Sequence, residues 1–183
     1  MDIIFTVDRF PNEGETLHAQ AFSVLPGGKG ANQAVACANF GVPTIMIGSV
    51  GDDSFGEQSL RGLLQAKVSV DNIQVKKNFS TGIACILINN GDNRIILNEG
   101  ANMMTSVDDS LDVLTKAGTG HVLLTQLEVP TQTVVESILE AKERDFFTIL
   151  NPAPAKTIPE KILSHVDLII PNEIEAEMLT GYD

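Results

Sequence analysis

The chain has 183 residues, 43% of them hydrophobic and 20% charged, the makeup of a globular domain able to bury a substantial core. Its 24 acidic and 12 basic residues leave a net charge of −12, which argues against a nucleic-acid partner, whose phosphates are held by clustered Lys and Arg. No apolar run approaches the ~20 residues that span a bilayer, and a basic-then-apolar signal peptide is not seen, so the expectation is a cytoplasmic protein with no membrane partner.

Ile3, Ile4, Phe5 and Val7 predict a short first strand that breaks at Pro11-Asn12-Glu13-Gly14. Over 15–24, Leu17, Ala19, Ala21 and Ser23 alternate with Thr16, His18, Gln20 and Phe22, which predicts an exposed strand that covers the adjoining turn as a lid. That turn is Pro26-Gly27-Gly28-Lys29-Gly30-Ala31-Asn32-Gln33-Ala34-Val35-Ala36, a glycine-rich stretch entering a helix over 31–40 that stops at Gly41. Glycines at 27, 28 and 30 permit positive φ and let a ligand approach the backbone. The helix N-terminus adds free N–H groups and a partial positive charge, suited to hydroxyls or an anion.

A tight strand-to-helix connection is the plainer reading of that turn. Lys29 and Asn32 favour a ligand, since a purely structural turn needs neither donor. The string is not a P-loop, because Gly30 follows Lys29 where Ser or Thr would stand, and it is not the Gly-x-Gly-x-x-Gly fingerprint.

Thr44 to Val50 reads as a buried strand, Gly51-Asp52-Asp53 as a turn, and Ser54 to Glu57 as a capping box opening a helix with Leu60, Leu63 and Leu64 on one face. Asp52 and Asp53 read as partners of that helix's dipole rather than metal ligands. The runs 81–89 and 94–98, joined by a five-residue link from Asn89 to Asn93, predict a hairpin that forms a small separate sheet with 15–24. Helices are expected over 107–116, 131–144 and 173–179, with a short one over 158–163 capped between Thr157 and Glu160. Strands are expected over 121–127, 146–150 and 166–170. Val134, Val135, Ile138, Leu139 and Ala141 mark the inner side of the second of these helices. The alternation implies an α/β fold: a doubly wound, mostly parallel sheet covered on both faces.

Ligands of such sheets sit beyond the carboxyl ends of the strands, which draws attention to Asp2, Glu128, Asn151, and Asn172 with Glu175. Glu128 reads equally as a solvent-facing loop residue before Pro130. Asn172 and Glu175 form an ordinary N-cap and its matching acid, a role compatible with phosphate contact at the same helix end. Cys37 and Cys85 lack zinc or disulfide spacing and read as buried reduced thiols; His18, His121 and His165 are scattered and suggest no relay.

The string Gly-Gly-Lys-Gly-Ala-Asn-Gln-Ala-Val-Ala over 27–36 resembles the N-terminal signature of the ribokinase-like (PfkB-type) carbohydrate kinases, in the form of the ribose branch. The resemblance continues in order through Gly-Asp-Asp-Ser-Phe-Gly at 51–56, Ser80-Thr81-Gly82, Gly100-Ala101-Asn102, Gln126-Leu127-Glu128, Asn151 to Ala155, and Pro171 to Glu177. It implies an ATP-dependent kinase that converts D-ribose, or a related sugar, to its 5-phosphate. It implies that Asp2, Gly28, Lys29, Asn32 and Glu128 hydrogen-bond the sugar, and that Asn172 and Glu175 organise magnesium, water and phosphate, with Glu175 toward the metal. It further implies ATP and Mg2+ as cofactors, a K+-type monovalent cation bound outside this chain, and a homodimer joined through the lid sheet.

The chain also departs from the family. The opening strand and polar residue that precede Asp2 in relatives are not found, nor is the Gly-Ala-Gly-Asp motif that supplies the family's anion hole and catalytic base. The expectation is therefore a partial ribokinase-like domain over 1–183, incomplete at both ends relative to the family, with lid strands near 15–24 and 81–98. It would be the sugar-binding portion of the kinase, inactive alone. The alternative from another class is a non-catalytic carbohydrate-binding or interaction protein derived from that fold.

Overall fold

The computed structural model describes residues 1–182. The first strand, β1 (Asp2–Thr6), pairs antiparallel with β2 (Ala21–Leu25), in a register running from Asp2 opposite Leu25 to Thr6 opposite Ala21. The strand expected over 15–24 therefore begins only at Ala21. Upstream, Glu15 is held in a loop, where its carboxylate accepts from the Asn12 backbone at 3.0 Å and pairs with Arg9. The glycine turn then enters α1 (Lys29–Asn39), whose alanines are strong helix formers. Gly41, at φ 82°, follows as the chain leaves the helix. Phe40, the C-cap, is exposed.

β3 (Ile45–Gly51) leads into α2 (Ser54–Gln65), and β4 (Ser69–Lys76), which the sequence reading passed over, pairs parallel with β3. β4 escaped notice because its apolar residues Val70, Ile73 and Val75 are split by Asp71, Asn72 and Gln74, with no clean period. Ala34 of α1, Leu63 of α2 and Val68 form the core over this pair of strands, whereas Leu64 is exposed.

The hairpin is β5 (Ile83–Asn89) and β6 (Asp92–Asn98). Its link is the two residues Asn90 and Gly91, not five; both have positive φ, the geometry that matches strand twist. β1 sits between β2 and β5, so this sheet has the four-stranded order β2-β1-β5-β6, and β1 to β5 is its parallel pair. The first strand thus belongs to the sheet expected to stand apart.

A 3-10 turn (Gly100–Met104) leads to α3 (Val107–Leu114), β7 (Val122–Thr125), α4 (Thr131–Glu143) and β8 (Phe147–Leu150). The expected helix over 158–163 is instead a 3-10 turn (Glu160–His165) that begins after Pro159, and β9 (Leu168–Ile169) and α5 (Glu173–Thr180) complete the described residues. β7, β8 and β9 form a parallel sheet in that order. The main core lies beneath it, where Val134, Val135 and Ile138 of α4 meet Leu127, Leu150 and Ile162. Burying side chains of this size stabilises by about 2 kcal/mol each.

Candidate functional site

Two residues after Leu25, the partner of Asp2 across the β1–β2 register, the chain reaches Gly27. A Cβ at Gly27 would fall within the Asp2 carboxylate, so the bare backbone there is what lets the carboxylate lie against the turn. Gly28 follows at φ 97°, a conformation that L side chains rarely adopt, and serves as the N-cap of α1 without any side-chain cap.

The missing cap comes from far along the chain. Glu128, three residues beyond β7, accepts a 2.8 Å hydrogen bond from the Lys29 backbone N–H. A carboxylate at this end of the helix also complements the partial positive charge of the dipole. The solvent-loop reading of Glu128 is thereby displaced, and part of the donor set expected to face a ligand is already engaged. The Met1 ammonium lies close by and donates to the Gly82 carbonyl at 3.1 Å; burial lowers its pKa, opposed by the Asp2 and Glu128 carboxylates.

Asp2, Gly28, Lys29 and Glu128 are thus brought together at one turn. Asn32 stands one helical turn beyond Gly28 on α1, and its exposed side chain makes no hydrogen bond to another described residue. A concavity of about 520 Å³ bounded by Ile45, Gln74, Asp112 and His121 lies elsewhere, between β3–β4 and the segment leading to β7.

Asn172 and Glu175 open α5 just beyond β9. Asn172 Oδ1 accepts from the Glu175 N–H at 2.8 Å, and Glu175 Oε2 accepts from the Asn172 N–H at 2.9 Å, a complete capping box. Glu175 is 5% exposed, and its Oε1, which accepts from no described residue, is the oxygen that reaches solvent, since no buried side-chain polar atom among the described residues lacks a partner. The described residues hold no cluster of three or more metal-ligating side chains. One carboxylate oxygen left over suits Mg2+, which retains water and takes one or two carboxylates with substrate phosphates.

Asp53, not Ser54, is the N-cap of α2. Burial pushes its carboxyl up, but hydrogen bonds from the Thr81 side chain and backbone and from the Gly56 N–H more than reverse this and hold it below the ordinary value. Asp53 therefore ties α2 to the segment entering β5, a structural role that the pair Asp52-Asp53 did not announce. Sequence reading also missed the partners of Gln33: it donates to Asn151 Oδ1 at 3.1 Å and accepts from Gln126. A polar, half-buried side chain beside the packed residues Ala34 and Val35 of α1 was the available signal.

Polar residues thus gather beyond the ends of β7, β8 and β9 and beside a glycine turn and a helix N-terminus in an α/β fold. The chain belongs to the pfkB family of carbohydrate kinases, whose profile matches residues 1–183. It is 37% identical over 179 residues to the ribokinase of Bacillus subtilis, covering 98% of this chain and 61% of that protein. It is 38% identical over 185 residues to the ribokinase of Schizosaccharomyces pombe, covering 97% and 58%. The structure of Arabidopsis thaliana ribokinase complexed with ribose and ATP superposes with a TM-score of 0.87 at 34% identity, covering 98% of this chain and 59% of that one. The chain thus spans about three fifths of the curated relatives it matches.

Proposed function

We propose that residues 1–183 are the sugar-binding and lid portion of an ATP-dependent sugar kinase of the ribokinase type, acting on D-ribose. The observation that carries this reading is the convergence of Asp2, Gly28, Lys29 and Glu128 at one turn, from segments 99 residues apart in the case of Lys29 and Glu128. Carboxylates accept from sugar hydroxyls, and the Lys29 ammonium and Asn32 amide donate to them. The sheet β2-β1-β5-β6 is the lid, and it carries Asp2 on its own first strand. Its outer strand β6 exposes Ile95, Ile96 and Leu97, a surface suited to pairing two copies as a homodimer.

Mg2+ and the phosphates of ATP fit the Asn172–Glu175 corner: Glu175 would direct its free oxygen to the hydrated cation, while the N-terminus of α5 favours negative charge. Bound there, MgATP supplies the transferable phosphoryl group. The residues of this chain bind and orient the sugar and hold the cation side; the proton of the attacking hydroxyl is not assigned to any of them. A cytoplasmic location accords with this substrate. Among the described residues, no helix is long and apolar enough to cross a membrane.

Calorimetric titration of the chain with D-ribose tests the reading, and heat of binding is expected. Asn32→Ala should weaken that binding by about 1–3 kcal/mol through loss of a polar contact made only with ligand. A folded wild-type sample that gives no heat, or an Asn32→Ala variant with unchanged affinity, would overturn the placement of the sugar.

A further inference from the structure

Three strings singled out in the sequence meet in space through residues that have no role in the reading above. Gln126 follows β7, Asn151 follows β8, and Gln33 reaches both from α1. Gln126 Nε2 donates to Gln33 Oε1, Gln33 Nε2 donates to Asn151 Oδ1 at 3.1 Å, and Asn151 Nδ2 donates to the Ile170 carbonyl at 2.8 Å. All three bonds run in one direction, so each amide polarises the next. The run ends at the close of β9, two residues before Asn172.

The backbone is shaped to admit it. A Cβ on Gly30 would stand 2.8 Å from Gln126 Oε1 and 3.3 Å from Met46 Cε, so this glycine of the turn makes room for the first amide. Gln33 and Asn151 each use both halves of a primary amide, an acceptor on one side and a donor on the other, which no carboxylate or apolar side chain of the same size provides.

We infer that Gln33 is a positioning residue that fixes the sugar-bearing end of α1 relative to the Asn172 corner through this one-way chain of amides. The inference rests on the sugar-kinase reading for its functional meaning, because it is the distance between sugar and phosphate that such a chain would set. The amide contacts themselves do not depend on that reading.

The test uses the 15N-labelled 183-residue chain with Gln33→Met, which keeps the size and removes both polar functions, and Gln33→Glu, which keeps the acceptor for Gln126 and loses the donor to Asn151. In Gln33→Met, the side-chain NH2 signal of Gln126, which loses its acceptor, should move to the position of a solvent-exposed amide, and that of Asn151, whose Oδ1 loses its donor, should shift from its wild-type position. Exchange of the Asn172 and Glu175 N–H groups should quicken about tenfold, the equivalent of one lost hydrogen bond. In Gln33→Glu the Asn151 signal should move and the Gln126 signal stay. Ile138→Val, which loosens the core elsewhere, should shift neither signal. A folded Gln33 variant whose Asn151 signal and Asn172 exchange match the wild type overturns the inference, and Gln33→Glu decides the matter if Gln33→Met does not fold.

Titration of the same samples with D-ribose separates the two claims. Affinity should fall about tenfold in Gln33→Met, by the same reasoning. Broken amide contacts with unchanged ribose affinity overturn the positioning role. A wild type with intact amide contacts and no ribose binding removes the sugar reading instead.

Discussion

Glu128 reaches Lys29 across 99 residues of sequence, whereas Glu175 reaches Asn172 across three. Each carboxylate accepts from a backbone N–H at the start of a helix, at 2.8 and 2.9 Å, so the local chemistry is nearly the same. The difference lies in what must be in place first. The Asn172 corner needs only one turn of α5. The glycine turn needs the β1–β2 register, the end of β7 and the start of α1 together. The turn is therefore the part that tertiary damage should reach most directly, while the corner feels it only through the Asn151–Ile170 link.

The largest effect is expected where tertiary structure leaves no room. A Cβ on Gly51 would fall within the backbone carbonyl of Phe79, at the clamp where Asp53 and Thr81 join α2 to the entry of β5. Gly51→Ala should cost about 3 kcal/mol in denaturant unfolding, since backbone must shift to accept the methyl. The exchange protection of Asn172 should fall no further than that global loss.

Gly27→Val comes next. The obstacle there is the Asp2 carboxylate, the movable end of a side chain, so stability should change little while ribose affinity falls about tenfold or more as Asp2 is pushed off the turn. An affinity equal to the wild type would separate Asp2 from the sugar.

A paired measurement sharpens the contrast. Glu128→Ala removes a charge-assisted hydrogen bond and should cost about 1.5 kcal/mol. Asn172→Ala removes an N-cap and should cost about 1 kcal/mol. Only Glu128→Ala should also quicken exchange at Lys29, and equal responses at both helix starts would erase the distinction.

The smallest effect is a pH dependence far from both corners. The Lys142 ammonium, with the Thr148 N–H and hydroxyl, holds the Asp167 carboxyl down to about 2. Because its folded pKa lies below the unfolded one, the stabilisation is present above about pH 4 and is lost as pH falls toward 2. Lys142→Met should flatten that part of the melting temperature against pH, and an unchanged slope would remove the ion pair as its cause.

Elements whose signals are local were legible in the sequence. α4 announced its inner face residue by residue, and Val134, Val135, Ile138 and Ala141 are buried. Asn172 and Glu175 announced α5 by their spacing, and Gly41 and Gly181 marked helix ends with positive φ. The failures share the opposite property. β4 has no clean alternation, because what makes it a strand is its pairing with β3. Ser54 has the right spacing for a cap, but Asp53 wins because Thr81 adds two more hydrogen bonds to it. Residues 15–20 alternate like a strand and yet remain a loop, since β1 is only long enough to pair from Ala21 onward.

From the sequence alone came the α/β class, the glycine turn with the helix behind it, and the family of kinases that its strings resemble. These depend on periodicity, caps and backbone permissions, all encoded within a few neighbouring residues. Only the folded chain decided that β1 joins the sheet of β2, β5 and β6, that Glu128 caps α1, and that Gln33 finds Gln126 and Asn151. Those facts are set by strand register and by which helix end meets which strand end, quantities that no short stretch of sequence contains.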